Sequence, residues 1–169
     1  ELARRTLGLE ASDETLDRLV ERTRALFTEE SGGFVDDSRH RAGRFDIYSA
    51  DCYLLAAPLA DRLGDAWTRG AAHALGLVEL VAAHNGAAIP WGRSAGALAL
   101  CLTVELAALG FEHGLIAPSA AGAWLERAER AFATLRAWFA DGLITAHRYR
   151  SPYPYRGPAR RLQMTFDCL

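Results

Sequence analysis

Apolar and polar positions alternate in character from one segment to the next along this chain, and that alternation is its most informative pattern. Ser12 followed by Asp13 and Glu14 is a helix start, after which Leu16, Leu19, Val20, Leu26 and Phe27 fall on one face of an amphipathic helix that Gly32-Gly33 ends. From about Ile47 to Leu63 the polar positions thin out to little more than Ser49 and Asp51, which predicts a helix buried on more than one side, punctuated by Gly64-Asp65. Asp65 to His84 returns to one-faced periodicity, with Trp67, Ala71, Ala74, Leu75, Val78 and Val81-Ala82 against Arg69, His73 and Glu79, and Asn85-Gly86 supplies a left-handed cap. Ala95 to Leu109 is apolar all round. Ser119 is expected to cap a further amphipathic helix in which Trp124, Ala128, Ala131, Phe132, Leu135, Trp138 and Phe139 share a face, Glu126, Arg127, Glu129 and Arg130 share the other, and Gly142 closes the run. Leu143 to Pro158 reads as a short hairpin or an irregular lid, and Arg160 to Leu169 begins another apolar helix.

Helices that are apolar all round must be surrounded, whereas one-faced helices can form an outer layer. The fold expected is therefore all-α, a single domain over 1–169 of paired helical hairpins with apolar inner helices and amphipathic outer ones. Asp51-Cys52, Leu100-Cys101 and Asp167-Cys168 recur at intervals of roughly 50 residues or more, hinting at a degenerate hairpin repeat. In such a two-layered arrangement the loops feeding the inner helices open on one end. Those loops are Gly43 to Tyr48, Ile89 to Ser94 and His147 to Arg161, and they carry arginines, aromatic rings and carboxylates together. A rim of that kind suits an anionic or sugar-like ligand.

Composition narrows the function classes. With 169 residues, half of them apolar, the chain can bury a core, and its net charge of −2 argues against nucleic acid or an acidic membrane surface as the main partner. This weighs against reading Arg148, Arg150, Arg156, Arg160 and Arg161 with their interleaved tyrosines as a nucleic-acid patch. All nineteen permanent cations are arginine, as a GC-rich bacterial genome would give and as carboxylate-gripping forks also require. Cys52, Cys101 and Cys168 are odd in number and far apart, a pattern of a reducing compartment, so a cytoplasmic location is expected, with each thiol a small core residue. The five histidines show no metal-ligand spacing, and no phosphate-cradling glycine loop is present, so neither metal nor organic cofactor is expected. Glu1 is not a natural start and Leu169 falls inside a helical pattern, which suggests a piece of something longer.

Several residues admit both a chemical and a structural reading. Asp46 sits where a helix N-cap belongs, and serves either as that cap or as a general acid or base. Asp51 lies a turn inside an apolar helix, so its carboxylate needs an arginine, a tyrosine or a ligand. Asp167 holds a comparable place in the third inner helix, and a pair of carboxylates is what glycoside hydrolysis uses. Tyr48 packs its ring, or acts as a proton donor or base. Trp91, stiffened between Pro90 and Gly92, either plugs the end of the helical array or presents a face to a sugar ring. Arg93 is expected to open the next inner helix, where the dipole disfavours a cation and asks for an anionic partner.

Gly33-Phe34 before an acidic loop, Arg44-x-Asp46-x-Tyr48, and Ile89-Pro90-Trp91-Gly92-Arg93-Ser94 together resemble the family known as domain of unknown function 2264, mainly over 32–110. Some members are classed among glycoside hydrolases (family 154) acting on sugars that contain glucuronic acid. The resemblance implies an (α/α) toroid, of which this chain would be a part, the remaining helices being supplied by a longer chain. It implies a carbohydrate-active enzyme, a glycoside hydrolase on a uronic-acid-bearing sugar, with Asp46 and Asp51 as acid/base residues. Arg44 and Arg93 would hold the carboxylate, Trp91 and Tyr149 would stack on the sugar, and His147 and Arg148 would complete the substrate contacts. A polysaccharide lyase using Tyr48 and His147, and a non-catalytic helical scaffold that binds a glycan or a protein, remain as alternatives.

Overall fold

Among the described residues every regular element of any length is a helix. In the computed structural model, which describes residues 1–25, 47–81, 96–140 and 142–144, seven α-helices and one minimal hairpin follow in order: α1 (Leu2–Thr6), α2 (Asp13–Arg24), α3 (Ile47–Ala56), α4 (Ala60–Leu63), α5 (Asp65–Val81), α6 (Ala97–Glu112), α7 (Ala121–Arg136), β1 (Phe139–Ala140) and β2 (Leu143–Ile144). The chain is all-α, as its periodicity predicts, and it divides into two compact units, 1–74 and 75–169.

The first unit shows why these residues become these helices. The Ser12 hydroxyl accepts from the Thr15 backbone N–H at 3.1 Å, satisfying one of the donors that a helix start leaves orphaned, and Asp13 and Glu14 complement the positive end of α2. Leu16 and Val20, one turn apart, form its buried stripe. Leu19, expected on the same face, is 41% exposed, because it sits on the shoulder of that stripe. On the polar side, Arg62 of α4 pairs with Asp17 and its own carbonyl accepts from Arg24, so two exposed contacts tie α4 to α2.

The expected single run from Ile47 to Leu63 is broken. Pro58 has no N–H to continue the ladder, so α3 stops at Ala56, a 3-10 turn occupies Ala57–Leu59, and α4 adds one further turn. Burial on more than one side is corrected as well. Ser49, Ala50, Tyr53 and Ala56 make one buried stripe, whereas Leu55 on another side is 72% exposed. Trp67, Gly70, Ala71 and Ala74 give α5 its buried face in this unit, and Arg69 and His73 point to solvent, in agreement with the sequence pattern.

In the second unit α6 and α7 form the largest helix pairing among the described elements, joined by 113–120. Ala97, Ala99, Leu100, Leu102, Thr103, Leu106, Ala107, Leu109 and Gly110 are buried around most of the circumference of α6, leaving a wet strip at Glu105, Ala108 and Glu112. The Thr103 hydroxyl is buried without penalty because it donates to the Ala99 carbonyl at 2.8 Å.

Four expectations for α7 need correction. Ser119 does not cap it: Pro118 starts a 3-10 turn over Pro118–Ala120, and α7 begins behind Ala120 with no side-chain cap. Phe132, which periodicity assigns to the packed face with Trp124, Ala131 and Leu135, is 52% exposed, because the covered stripe is narrower than the apolar one. Trp138 and Phe139 lie beyond the helix, which ends at Arg136. Gly142, at φ +76, lies in the turn of a hairpin that pairs Phe139 with Ile144 and Ala140 with Leu143, and does not end the helix. The hairpin carries Ile144, 2% exposed, into a core made with Ala97, Leu100, Ala131 and Leu135, with Cys101, Val104, Trp138 and Phe139 packed alongside. Cys52 on α3 and Cys101 on α6 are each half-buried.

Candidate functional site

Helix α3 begins at Ile47, directly after the Arg44-x-Asp46 segment, and places Tyr48 and Asp51 one turn apart on a single face of its first turns. Both are half-buried, and both engage neighbouring groups. Asp51 is therefore neither a fully solvated surface carboxylate nor sealed in the core. That intermediate place leaves it open to a ligand while its position is held by the helix beneath it.

The helix is held firmly. Its own Ser49, Ala50 and Tyr53 form the buried side at 3% exposure or less. The Trp67 indole N–H of α5 donates to the Tyr53 carbonyl at 3.1 Å, joining the two helices through a buried hydrogen bond. Gly70 lets Tyr53 lie flat against α5, since a Cβ at that position would sit 2.4 Å from the Tyr53 hydroxyl oxygen. Burial pushes the Tyr53 phenol well above the ordinary tyrosine range, and the adjacent Cys52 adds to the shift. A raised folded-state pKa means that the unfolded chain loses this proton first. The contribution of Tyr53 is therefore complete below about pH 10 and is lost as pH rises beyond it. Tyr53→Phe keeps the ring and removes the titration. Its unfolding free energy, followed by urea melts from pH 8 to 11, is expected to fall less steeply above pH 10 than that of the wild type.

Of the residues singled out in the sequence, Tyr48 and Asp51 are brought together. Arg44, Asp46, Trp91, Arg93, His147, Arg148 and Tyr149, like Asp167, lie outside the described residues. Helix α6 starts at Ala97 with Gly96 at its N-cap. Among the described residues no three His, Cys, Asp or Glu side chains are grouped to hold a metal ion, and no helix is long and apolar enough to cross a membrane.

A second polar constellation, in the other unit, was not anticipated. Arg127, assigned by periodicity to the solvent face of α7, instead lies half-buried with its guanidinium carbon 4.6 Å from the ring centre of Trp124. Trp124 is 1% exposed, and its indole N–H donates to the Glu79 carboxylate of α5 at 2.5 Å. The spacing of Trp124 and Arg127, one turn apart, is the signal that was available, because arginine folds back over an aromatic ring at that distance.

Comparison with known proteins finds no match to this chain among family models, curated proteins or solved structures.

Proposed function

We propose that this chain is part of an (α/α) toroid and of a carbohydrate-active enzyme, a glycoside hydrolase acting on a uronic-acid-bearing sugar. The observation that carries the reading is the shared face of Tyr48 and Asp51 at the start of α3, immediately behind Arg44 and Asp46 in the sequence. The all-α fold and the near-continuous burial around α6, as an inner helix requires, support it.

In this reading Asp51 is the acid or base and Asp46 its carboxylate counterpart. One, protonated, gives its proton to the leaving glycosidic oxygen; the other, ionised, acts on water or on the anomeric carbon. Arg44 and Arg93 pair with the sugar carboxylate through charge-assisted hydrogen bonds, Trp91 and Tyr149 cover ring faces, and His147 and Arg148 complete the rim.

Product analysis tests the proposal. Incubation with oligosaccharides that contain glucuronic acid is expected to release new reducing ends with no near-ultraviolet absorbance. An absorbing unsaturated uronide would transfer the chemistry to elimination, with Tyr48 and His147 as the proton-transfer groups. No product at all, with the glycan still bound, would leave a binding scaffold in place of an enzyme.

A further inference from the structure

Arginine is the one side chain that cannot escape a poor environment by giving up its proton. Arg127 is therefore anomalous. Its Nε and Nη1 are shut off from solvent and make no hydrogen bond. The Glu79 carboxylate, which approaches the same tryptophan, is engaged by the Trp124 indole N–H. Stacking on Trp124 returns only part of what the guanidinium loses, because a cation over a ring recovers less than the charged hydrogen bonds it forgoes. Buried donors in native proteins nearly always have an acceptor, so a charged group with three unmet N–H donors on two nitrogens marks a place that an acceptor completes.

We propose that Arg127, braced on Trp124, is an oxyanion-binding site in the second unit, taking a carboxylate or a phosphate group. The geometry favours such a ligand over a neutral one. The guanidinium already rests over the ring, which limits the side-chain freedom an anion has to remove, and planar N–H donors match paired oxygens. Arg127 as a whole keeps part of its surface in water, so the anion arrives from that side, and binding requires the guanidinium to turn so that its sealed donors meet it. Glu79, fixed at the edge of the same indole, supplies an opposing charge that limits affinity and disfavours multiply charged ligands. The site is independent of the glycosidase reading, since none of its residues belongs to the α3 face.

Thermal melting of the full chain in sodium phosphate and in sodium glucuronate, each against sodium chloride at equal ionic strength, tests this. The wild type is expected to gain about 3 °C in at least one of the two oxyanions, the responding anion showing whether phosphate or carboxylate is preferred. Arg127→Met is expected to lose that gain while melting in chloride at or above the wild-type temperature, because it removes buried donors that have no acceptor. Arg127→Lys keeps the charge without the planar fork and is expected to weaken the titrated anion affinity roughly tenfold. Glu79→Gln keeps an acceptor for Trp124, drops the opposing charge, and is expected to strengthen the response. A wild type indifferent to both anions, an equal gain in Arg127→Met, or unchanged affinity in Arg127→Lys would overturn the assignment.

Discussion

Trp67→Ala is expected to destabilise the protein by about 3–5 kcal/mol, enough to consume a large share of the ~5–15 kcal/mol by which a domain of ordinary size is stable. Trp67 is 1% exposed and is among the largest fully buried side chains in the molecule. Truncation removes its transfer free energy and leaves a cavity that the helical backbones on either side cannot fully close. It also removes the indole donor from the Tyr53 carbonyl, a buried bond of 3.1 Å whose acceptor then has to find another partner. Because Tyr53 carries the α3 stripe and lies against Gly70, loosening this contact loosens the helix that presents Tyr48 and Asp51. Trp67→Phe separates the two contributions: it keeps most of the ring area, loses the N–H donor, and is expected to cost roughly 1–3 kcal/mol. Urea unfolding followed by circular dichroism measures both, and a change below about 1 kcal/mol for Trp67→Ala would mean that Trp67 is not the pin between α3 and α5.

The same residues show why part of this fold was legible in the sequence and part was not. Local signals with a single physical meaning carried through. Ser12 caps α2 because a hydroxyl ahead of two acidic residues has little else to do there, and α6 is buried around most of its surface because eleven of its first fourteen residues offer water nothing to hold. Signals open to two mechanisms did not. Periodicity finds an apolar stripe but not its covered width, so Leu55 and Phe132 are apolar and exposed. It places Arg127 on the polar side by type, yet a long aliphatic stem lets the guanidinium swing back over Trp124. Backbone chemistry also overrode side-chain pattern: Pro58 ended α3, Pro118 moved the start of α7 past Ser119, and Gly142 took its place in a hairpin turn where a helix end was expected. For the candidate site, the helix of the structure is what puts Tyr48 and Asp51 on one face, because residues one turn apart in a helix must be neighbours. Convergence with Arg93, Trp91 or His147 depends on how separate loops meet, which no local pattern encodes.

Asp51→Asn is expected to lower turnover of a glucuronic-acid-containing oligosaccharide by about 10²–10⁴-fold, the range for losing a positioned general acid or base. The substitution keeps shape and hydrogen-bonding capacity while removing the ability to exchange a proton, so glycan binding is expected to persist and the melting temperature to stay within a few degrees of the wild type. That combination distinguishes chemistry from support. If Asp51 only braced α3, Asn would lower stability and activity together, and activity would recover on cooling. Tyr48→Phe supplies the complementary arm, because the two residues share a helix face and therefore the same surroundings. Hydrolysis through Asp51 tolerates loss of the phenol hydroxyl with a modest decrease, whereas elimination through Tyr48 does not survive it. Initial rates of reducing-end release, measured for both variants beside their thermal melts, assign the proton transfer to one side chain or the other, and unchanged turnover in Asp51→Asn removes this carboxylate from the mechanism.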